Sequence, residues 1–226
     1  MKFRRQKSGP DQEADQTPDP GADTADAKGA TPEVPDGRRS NGPWDLTEVT
    51  VDEDDPTQVD LGGLLVRGRD GLELRLQVDE SSQEVSAVLL VTAQGALELR
   101  PFAAPRNGDI WDDIRREIAA ETTRRGGTAT EEEGEFGPEL RVMMPVTTPE
   151  GKAATQPSRV LGVRGPRWLL RATFLGRPAV NPATDGDLET ALREVVVVRG
   201  EAPMAPGDPL PLKVPANAQP VQQRQA

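Results

Sequence analysis

The sequence predicts an α+β fold, in which one antiparallel sheet packs against two helices. Residues 72–78 alternate leucine or valine with charged or polar residues, as in a strand with one face in the core and the other in water. A strand of this kind is typical of an antiparallel sheet. Ile110, Ile114 and Ile118 recur every four residues, which indicates an amphipathic helix.

Composition divides the chain of 226 residues into three parts. Residues 1–57 contain fourteen acidic residues and seven Lys or Arg, together with many prolines and few large apolar side chains, so we expect a disordered leader. Residues 58–200 should form a single domain of ordinary size. Residues 201–226 are rich in proline, and we expect a mostly extended or disordered tail.

The first half of the domain contains two further strands and a helix. The apolar run at 85–92 predicts a central strand covered on both faces, and residues 96–102 predict the strand that leads into the helix. Residues 107–125 predict the helix itself. Asp109 is a favourable N-cap because its carboxylate accepts from free backbone N–H groups, and Gly126 permits the left-handed ending.

The second half repeats this order of elements. Residues 140–146, 156–163 and 168–175 each predict a strand, and residues 187–197 predict the second helix. The four valines at 195–198 favour β structure, which leaves the end of that helix open.

A short pattern occurs twice, and it favours an internal duplication. Residues 100–105 and 177–182 both read R-P-x-[AV]-x-P, and a segment [ND]-G-D-[IL] follows each of them. The corresponding halves would be residues 59–126 and 128–199, each a meander closed by a helix. The alternative is a pair of ordinary strand-to-helix junctions, which also favour Pro, Asn, Gly and Asp.

Several long stretches resemble a known family. VDLGGLLVRGRDGLELRLQVDE, LELRPFAAPRNGDIWDDIRREIAAE, GPRWLLRATFLGRPAV and VVVVRGEAPMAPGDPLPL resemble the actinobacterial family labelled domain of unknown function 3710, over about residues 59–214. The resemblance implies a cytoplasmic actinobacterial protein. It implies no activity and no cofactor, and it carries over no functional residue.

Composition also excludes several kinds of chemistry. The sequence has no His, Cys or Tyr, so it lacks imidazole bases, thiolate nucleophiles, disulfides and the usual zinc ligands. No glycine-rich phosphate loop is present, and we expect no cofactor. The net charge of −11 and the aromatic share of 3% argue against nucleic-acid binding. No apolar run is long enough for a bilayer, so we expect a cytoplasmic protein without stable membrane association.

Asp113, Glu117 and Glu121 form the candidate metal site. Their four-residue spacing places three carboxylates on one face of the first predicted helix. Oxygen ligands of this kind suit a hard divalent cation such as Mg²⁺. The alternative is an ordinary solvated helix face with weak surface ion pairs.

Arg167, Arg171 and Arg177 form the candidate surface for an anion or a protein partner. On a strand, Arg167 and Arg171 would lie on one face and Trp168 on the other. The alternative is that Trp168 lies in the core and the arginines cover its rim.

Two classes of function remain. The absence of catalytic residue types favours a non-enzymatic binding or adaptor protein with a protein partner. The alternative is an enzyme that depends on a divalent metal held by the helix carboxylates.

Overall fold

The computed structural model describes residues 39–52 and 54–215, which all belong to one compact unit. The elements in chain order are β1 (Trp44–Asp45), a 3₁₀ turn (Leu46–Glu48), β2 (Gln58–Asp60), β3 (Leu64–Arg67), β4 (Glu73–Val78), β5 (Val85–Thr92), β6 (Gly95–Ala103), α1 (Trp111–Arg124), β7 (Thr128–Gly134), β8 (Gly137–Thr147), β9 (Ala153–Gly165), β10 (Trp168–Gly176), α2 (Arg177–Val180), α3 (Asp187–Glu194) and β11 (Val196–Val197).

Two sheets build the fold. The large sheet has the strand order β4-β5-β6-β10-β9-β8-β7, and every neighbouring pair in it is antiparallel. The small sheet has the order β1-β11-β3-β2, in which β1 and β11 run parallel. The prediction of an α+β fold dominated by antiparallel strands is confirmed. In the described part of the chain, every helix is too short or too polar to cross a membrane.

One face of the large sheet carries the main core, which α3 and the small sheet cover. Its largest fully buried side chains are Trp168, Phe174, Leu61, Leu64, Leu90, Leu97, Leu99, Leu170, Leu188 and Leu192. Burying each side chain of this size contributes about 1.5–3 kcal/mol. Most of the stability therefore comes from this face.

The opposite face packs against α1 through a smaller core around Trp111. The Trp111 ring lies directly on Gly162 of β9, and its Nε1 donates to the carbonyl of Pro138 at 2.7 Å. The N-cap position is Ile110, one residue later than predicted, and the carboxylate of Asp109 still accepts from the backbone N–H of Trp111 in the first turn at 2.7 Å.

The ending of α1 follows the prediction. Gly126 has a φ of 78°, and its N–H donates to the carbonyl of Thr123. The N–H of Gly127 donates to the carbonyl of Thr122, which completes a Schellman ending.

The second predicted helix ends earlier than expected. α3 stops at Glu194, and Val196 and Val197 pair with β3 and β1. Valine is stiff at χ1 and packs well on a pleated surface, so the strand competes successfully with the helix.

Residues 39–48 fold back onto β10. The Arg39 side chain is 4% exposed and donates to both carboxylate oxygens of Glu48 at 2.5 and 2.6 Å. Its guanidinium carbon lies 5.2 Å from the centroid of the Trp168 ring. Asp45 accepts from Nε1 of Trp168 at 2.7 Å. This segment is therefore part of the folded domain.

The folded region consequently begins before the predicted boundary at residue 58. The composition of residues 1–57 as a whole does not reveal this short segment, in which Arg39 and Asp45 are buried. Trp44 belongs to this segment and donates its backbone N–H to the carbonyl of Val195 at 2.9 Å. The prediction for residues 1–38 lies outside the described residues.

The Pro-rich tail is extended as far as the structure describes it. Pro209 pairs with Phe102, and Leu212 pairs with Gly62 and Val85, while Leu210 is 2% exposed. The predicted tail from residue 216 onward lies outside the described part.

The predicted duplication is not confirmed. In the first copy of the repeated pattern, residues 100–103 belong to β6, whereas in the second copy residues 177–180 form α2. α1 and α3 also pack on opposite faces of the large sheet. The two junctions share residue types without sharing a conformation.

Replacing Gly162 with alanine should destabilise the protein by about 1–3 kcal/mol, as overpacked cores do. A Cβ at this position would lie 2.4 Å from Cδ2 of Trp111. The free energy of unfolding in urea measures the effect. The same substitution in a Trp111→Leu background should cost less, because the ring is gone. An unchanged stability of the single variant would contradict the packing described for α1.

Asp45→Ala should destabilise the protein by about 1–3 kcal/mol, because it leaves the buried Nε1–H of Trp168 without an acceptor. Asp52→Ala is the control, since Asp52 is exposed and accepts locally from the N–H of Asp54. The control should stay within about 0.5 kcal/mol of wild type. Equal effects of the two substitutions would mean that the hydrogen bond between Asp45 and Trp168 adds nothing to stability.

Candidate functional site

Three neighbouring strands bring a row of side chains to the end of the main core near α3. Arg141 on β8 is paired with Arg159 on β9, which is paired with Phe174 on β10. Side chains at paired positions lie on the same face of a sheet. The guanidinium carbon of Arg159 therefore lies over the Phe174 ring, 4.2 Å from its centroid.

Arg159 is a buried charge with incomplete pairing. Its side chain is 10% exposed, and its Nη2 lies 3.4 Å from Oε1 of Glu189 on α3. Its Nε is buried and donates to no acceptor among the described residues. Burial lowers the pKa of this guanidinium, and the carboxylates of Glu139 and Glu189 oppose that effect.

Glu139 is the second incompletely paired charge. Its side chain is 6% exposed, and its Oε1 lies 3.4 Å from Nη2 of Arg141. Burial raises the pKa of Glu139 above its usual value of 4.5, although Arg159 and Arg141 act in the opposite direction. Gly134 makes room for this carboxylate, because a Cβ there would lie 2.5 Å from Oε2 of Glu139.

A third arginine, Arg193, links two loops beside these charges, and we call this edge the rim of the site. Arg193 on α3 donates through Nε and Nη2 to the two carboxylate oxygens of Glu135, at 3.1 and 2.7 Å. Its Nη1 donates to the carbonyl of Thr184 at 2.6 Å. Arg193 thus ties the loop before α3 to the turn between β7 and β8.

These side chains enclose a pocket of about 270 Å³. Its charged lining is Arg141, Arg159, Glu139 and Glu189 at the floor, the rim pair Arg193 and Glu135, and Glu133. Its apolar lining is Phe136, Leu161, Phe174 and Leu192. A few polar groups set in apolar walls are typical of a small-molecule site.

The predicted arginine surface is not brought together. Arg171 lies on the α1-facing side of the large sheet, 3.8 Å from Glu98 and 5.6 Å from the Phe102 ring. Arg167 occupies the turn before β10 and Arg177 begins α2 after it. A strand of nine residues places these two about 30 Å apart.

The predicted metal ligands lie on the exposed face of α1. Asp113 pairs with Arg116 and Glu121 with Arg124, each at 2.5 Å, and Glu117 is exposed. In the described part of the chain, no three metal-ligating side chains cluster closely enough to hold an ion. The metal hypothesis stays a prediction, and titration calorimetry with Mg²⁺ and Mn²⁺ tests it.

Sequence reasoning missed the pocket, although one signal for it was present. Arg159 lies in phase with Leu161 and Val163 on a strand whose other inward-facing residues are apolar. An arginine at a core position is unusual. Glu189 gives a similar signal, since it adjoins Leu188 on the buried side of α3 and is itself 8% exposed.

Comparisons with known proteins give a family and no activity. A family model described as "Protein of unknown function (DUF3710)" matches residues 42–221. No curated protein matches the chain. A solved crystal structure from Bacteroides thetaiotaomicron VPI-5482 is 8% identical, with a TM-score of 0.32; the match covers 62% of this chain and 47% of that one. That likeness is too low to support any argument.

Glu139→Gln should change how stability depends on pH. The folded-state pKa of Glu139 is raised, so this group contributes stability that is present below pH 4.5 and is lost as the pH rises through the folded-state pKa. The free energy of unfolding of wild type, relative to the variant, should therefore fall as the pH rises above 4.5. Denaturant unfolding at several pH values measures it.

Glu73→Gln is the matched control for this experiment. Glu73 is exposed on β4, and a hydrogen bond from Arg75 lowers its pKa. Wild type should therefore gain stability relative to this variant as the pH rises. The same trend in both variants would contradict the burial described for Glu139.

Proposed function

Since the chain belongs to the family described as Protein of unknown function (DUF3710), we propose from its own geometry that it is a non-enzymatic binding protein. The binding site is the pocket between α3 and the β7–β8 turn.

The observation that supports this function is the set of four charged side chains at the floor of the pocket. Arg141, Arg159, Glu139 and Glu189 are between 6% and 25% exposed. Desolvating such groups costs several kcal/mol per ion, and well-packed apolar residues of similar volume would serve stability as well or better. A protein that keeps these charges at an open pocket gains little stability from them, which favours a role in recognition.

The residue types in the pocket favour binding over turnover. Arginine keeps its proton, so it can hold a carboxylate or phosphate but is a poor proton carrier. Each floor carboxylate faces an arginine, and Thr184 is the hydroxyl residue of the described lining. The arrangement supplies fixed charges and hydrogen-bond donors, which suits recognition.

The proposal also covers the location and the role of the protein. The resemblance of its sequence to an actinobacterial family supports a location in the cytoplasm of such a bacterium and a role as an adaptor that binds a protein partner.

Native mass spectrometry of the full chain, purified by affinity from its host, tests this function. Wild type should carry a bound mass, whether a small molecule or a protein. The double variant Arg159→Met, Glu189→Gln should lose it. This variant removes both charges of a buried pair together, so it avoids the penalty of leaving one charge unpaired.

Arg116→Met is the matched control, because Arg116 is exposed on α1 and pairs there with Asp113. The control should retain the bound mass. A wild-type protein that carries nothing, or a bound mass that survives in the double variant, would overturn the pocket as the binding site.

A further inference from the structure

The charges at the floor of the pocket balance in number but are poorly matched in geometry. Two arginines and two glutamates give a net charge of zero. Ion pairs with arginine are usually 2.7–2.9 Å long. The Arg159–Glu189 and Arg141–Glu139 contacts are both 3.4 Å, and Nε of Arg159 has no acceptor among the described residues. Arg141 also donates through Nε to Glu132 at 3.0 Å and through Nη1 to the carbonyl of Ala179 at 2.6 Å. The unused capacity therefore lies in Arg159 as a donor and in Glu139 and Glu189 as acceptors.

The free donor and acceptor groups at the floor of the pocket indicate which charges a ligand should carry. An anion would satisfy Arg159 and leave the glutamates short of donors, whereas a cation would satisfy the glutamates and leave Arg159 short of acceptors. A molecule that carries one negative and one positive group satisfies both and preserves the neutrality of the floor. Since unpaired buried charges are costly, such a molecule is strongly favoured over a singly charged one.

The size and walls of the pocket narrow the choice. A volume of about 270 Å³ lies just below the roughly 300–1,000 Å³ of pockets for drug-sized ligands. Phe136, Leu161 and Leu192 present an apolar surface beside the charged floor. The ligand is therefore small and has an apolar part.

We propose that the pocket binds a free α-amino acid in its zwitterionic form, with an apolar side chain. Its carboxylate accepts from Arg159, and its ammonium group donates to Glu139 and Glu189. The side chain packs against Phe136 and the leucines. This inference rests on the proposed binding function and names the ligand class for the same pocket.

The experiment is titration calorimetry of the full chain with L-leucine as the probe, and with N-acetyl-L-leucine and L-leucinamide as matched analogues. The first analogue lacks the ammonium charge and the second lacks the carboxylate. L-Leucine should bind at one site with a Kd below about 1 mM. Each analogue should bind at least about tenfold more weakly, because it loses one set of charge contacts.

Two variants test whether L-leucine binds in this pocket. Arg159→Met, Glu189→Gln should abolish the binding of L-leucine, and Arg116→Met should leave it unchanged. Circular dichroism checks that both variants are folded. If the double variant does not fold, Thr184→Trp replaces it, because Thr184 is exposed at the pocket rim and a larger side chain there should block the ligand without overpacking the core.

Three results would overturn the proposal. N-acetyl-L-leucine that binds as tightly as L-leucine would show that the ammonium is not recognised. L-Leucinamide that binds as tightly would show the same for the carboxylate. If L-leucine, L-valine and L-phenylalanine all fail to bind at about 1 mM, the proposal of an amino-acid zwitterion as ligand is wrong. In that case a variant-sensitive bound mass in the native protein would still support the binding function.

Discussion

The burial of β10 on both faces is the constraint on which the rest of the structure depends. Trp168, Leu169 and Leu170 are all fully buried at successive positions, although successive side chains point to opposite faces of a strand. The sheet must therefore be covered on both sides at this strand. Covering one side with α1 and the other with α3 and the small sheet is what makes the fold α+β.

The same constraint explains why residues 39–48 belong to the domain. Trp168 has an indole N–H, and a buried donor needs an acceptor. Asp45 supplies that acceptor, and Arg39 lies over the same ring. The core thus extends to the N-terminal side of the residues that composition alone marks as a domain. Composition counted over a long stretch of sequence does not reveal a few contacts of this kind.

Elements defined by local periodicity could be predicted, and elements defined by distant pairing could not. Residues 72–78 correspond to β4 (Glu73–Val78), and 85–92 agrees with β5, because alternation or continuous apolarity directly reports burial. The small sheet escaped prediction, since Val196 and Val197 become strand only by pairing with β1 and β3. The pocket escaped for the same reason, because Arg159 and Glu189 are 30 residues apart.

α3 connects the pocket to the N-terminal segment. The side chain of Arg193 on α3 pairs with Glu135 at the pocket rim, and the backbone carbonyl of Arg193 packs against Gly42. A Cβ at Gly42 would lie 1.9 Å from that carbonyl oxygen, so only glycine allows this approach. Directly after α3, the carbonyl of Val195 accepts from Trp44. One helix therefore positions both the rim of the pocket, through Arg193 and Glu135, and the approach of Gly42 in the N-terminal segment.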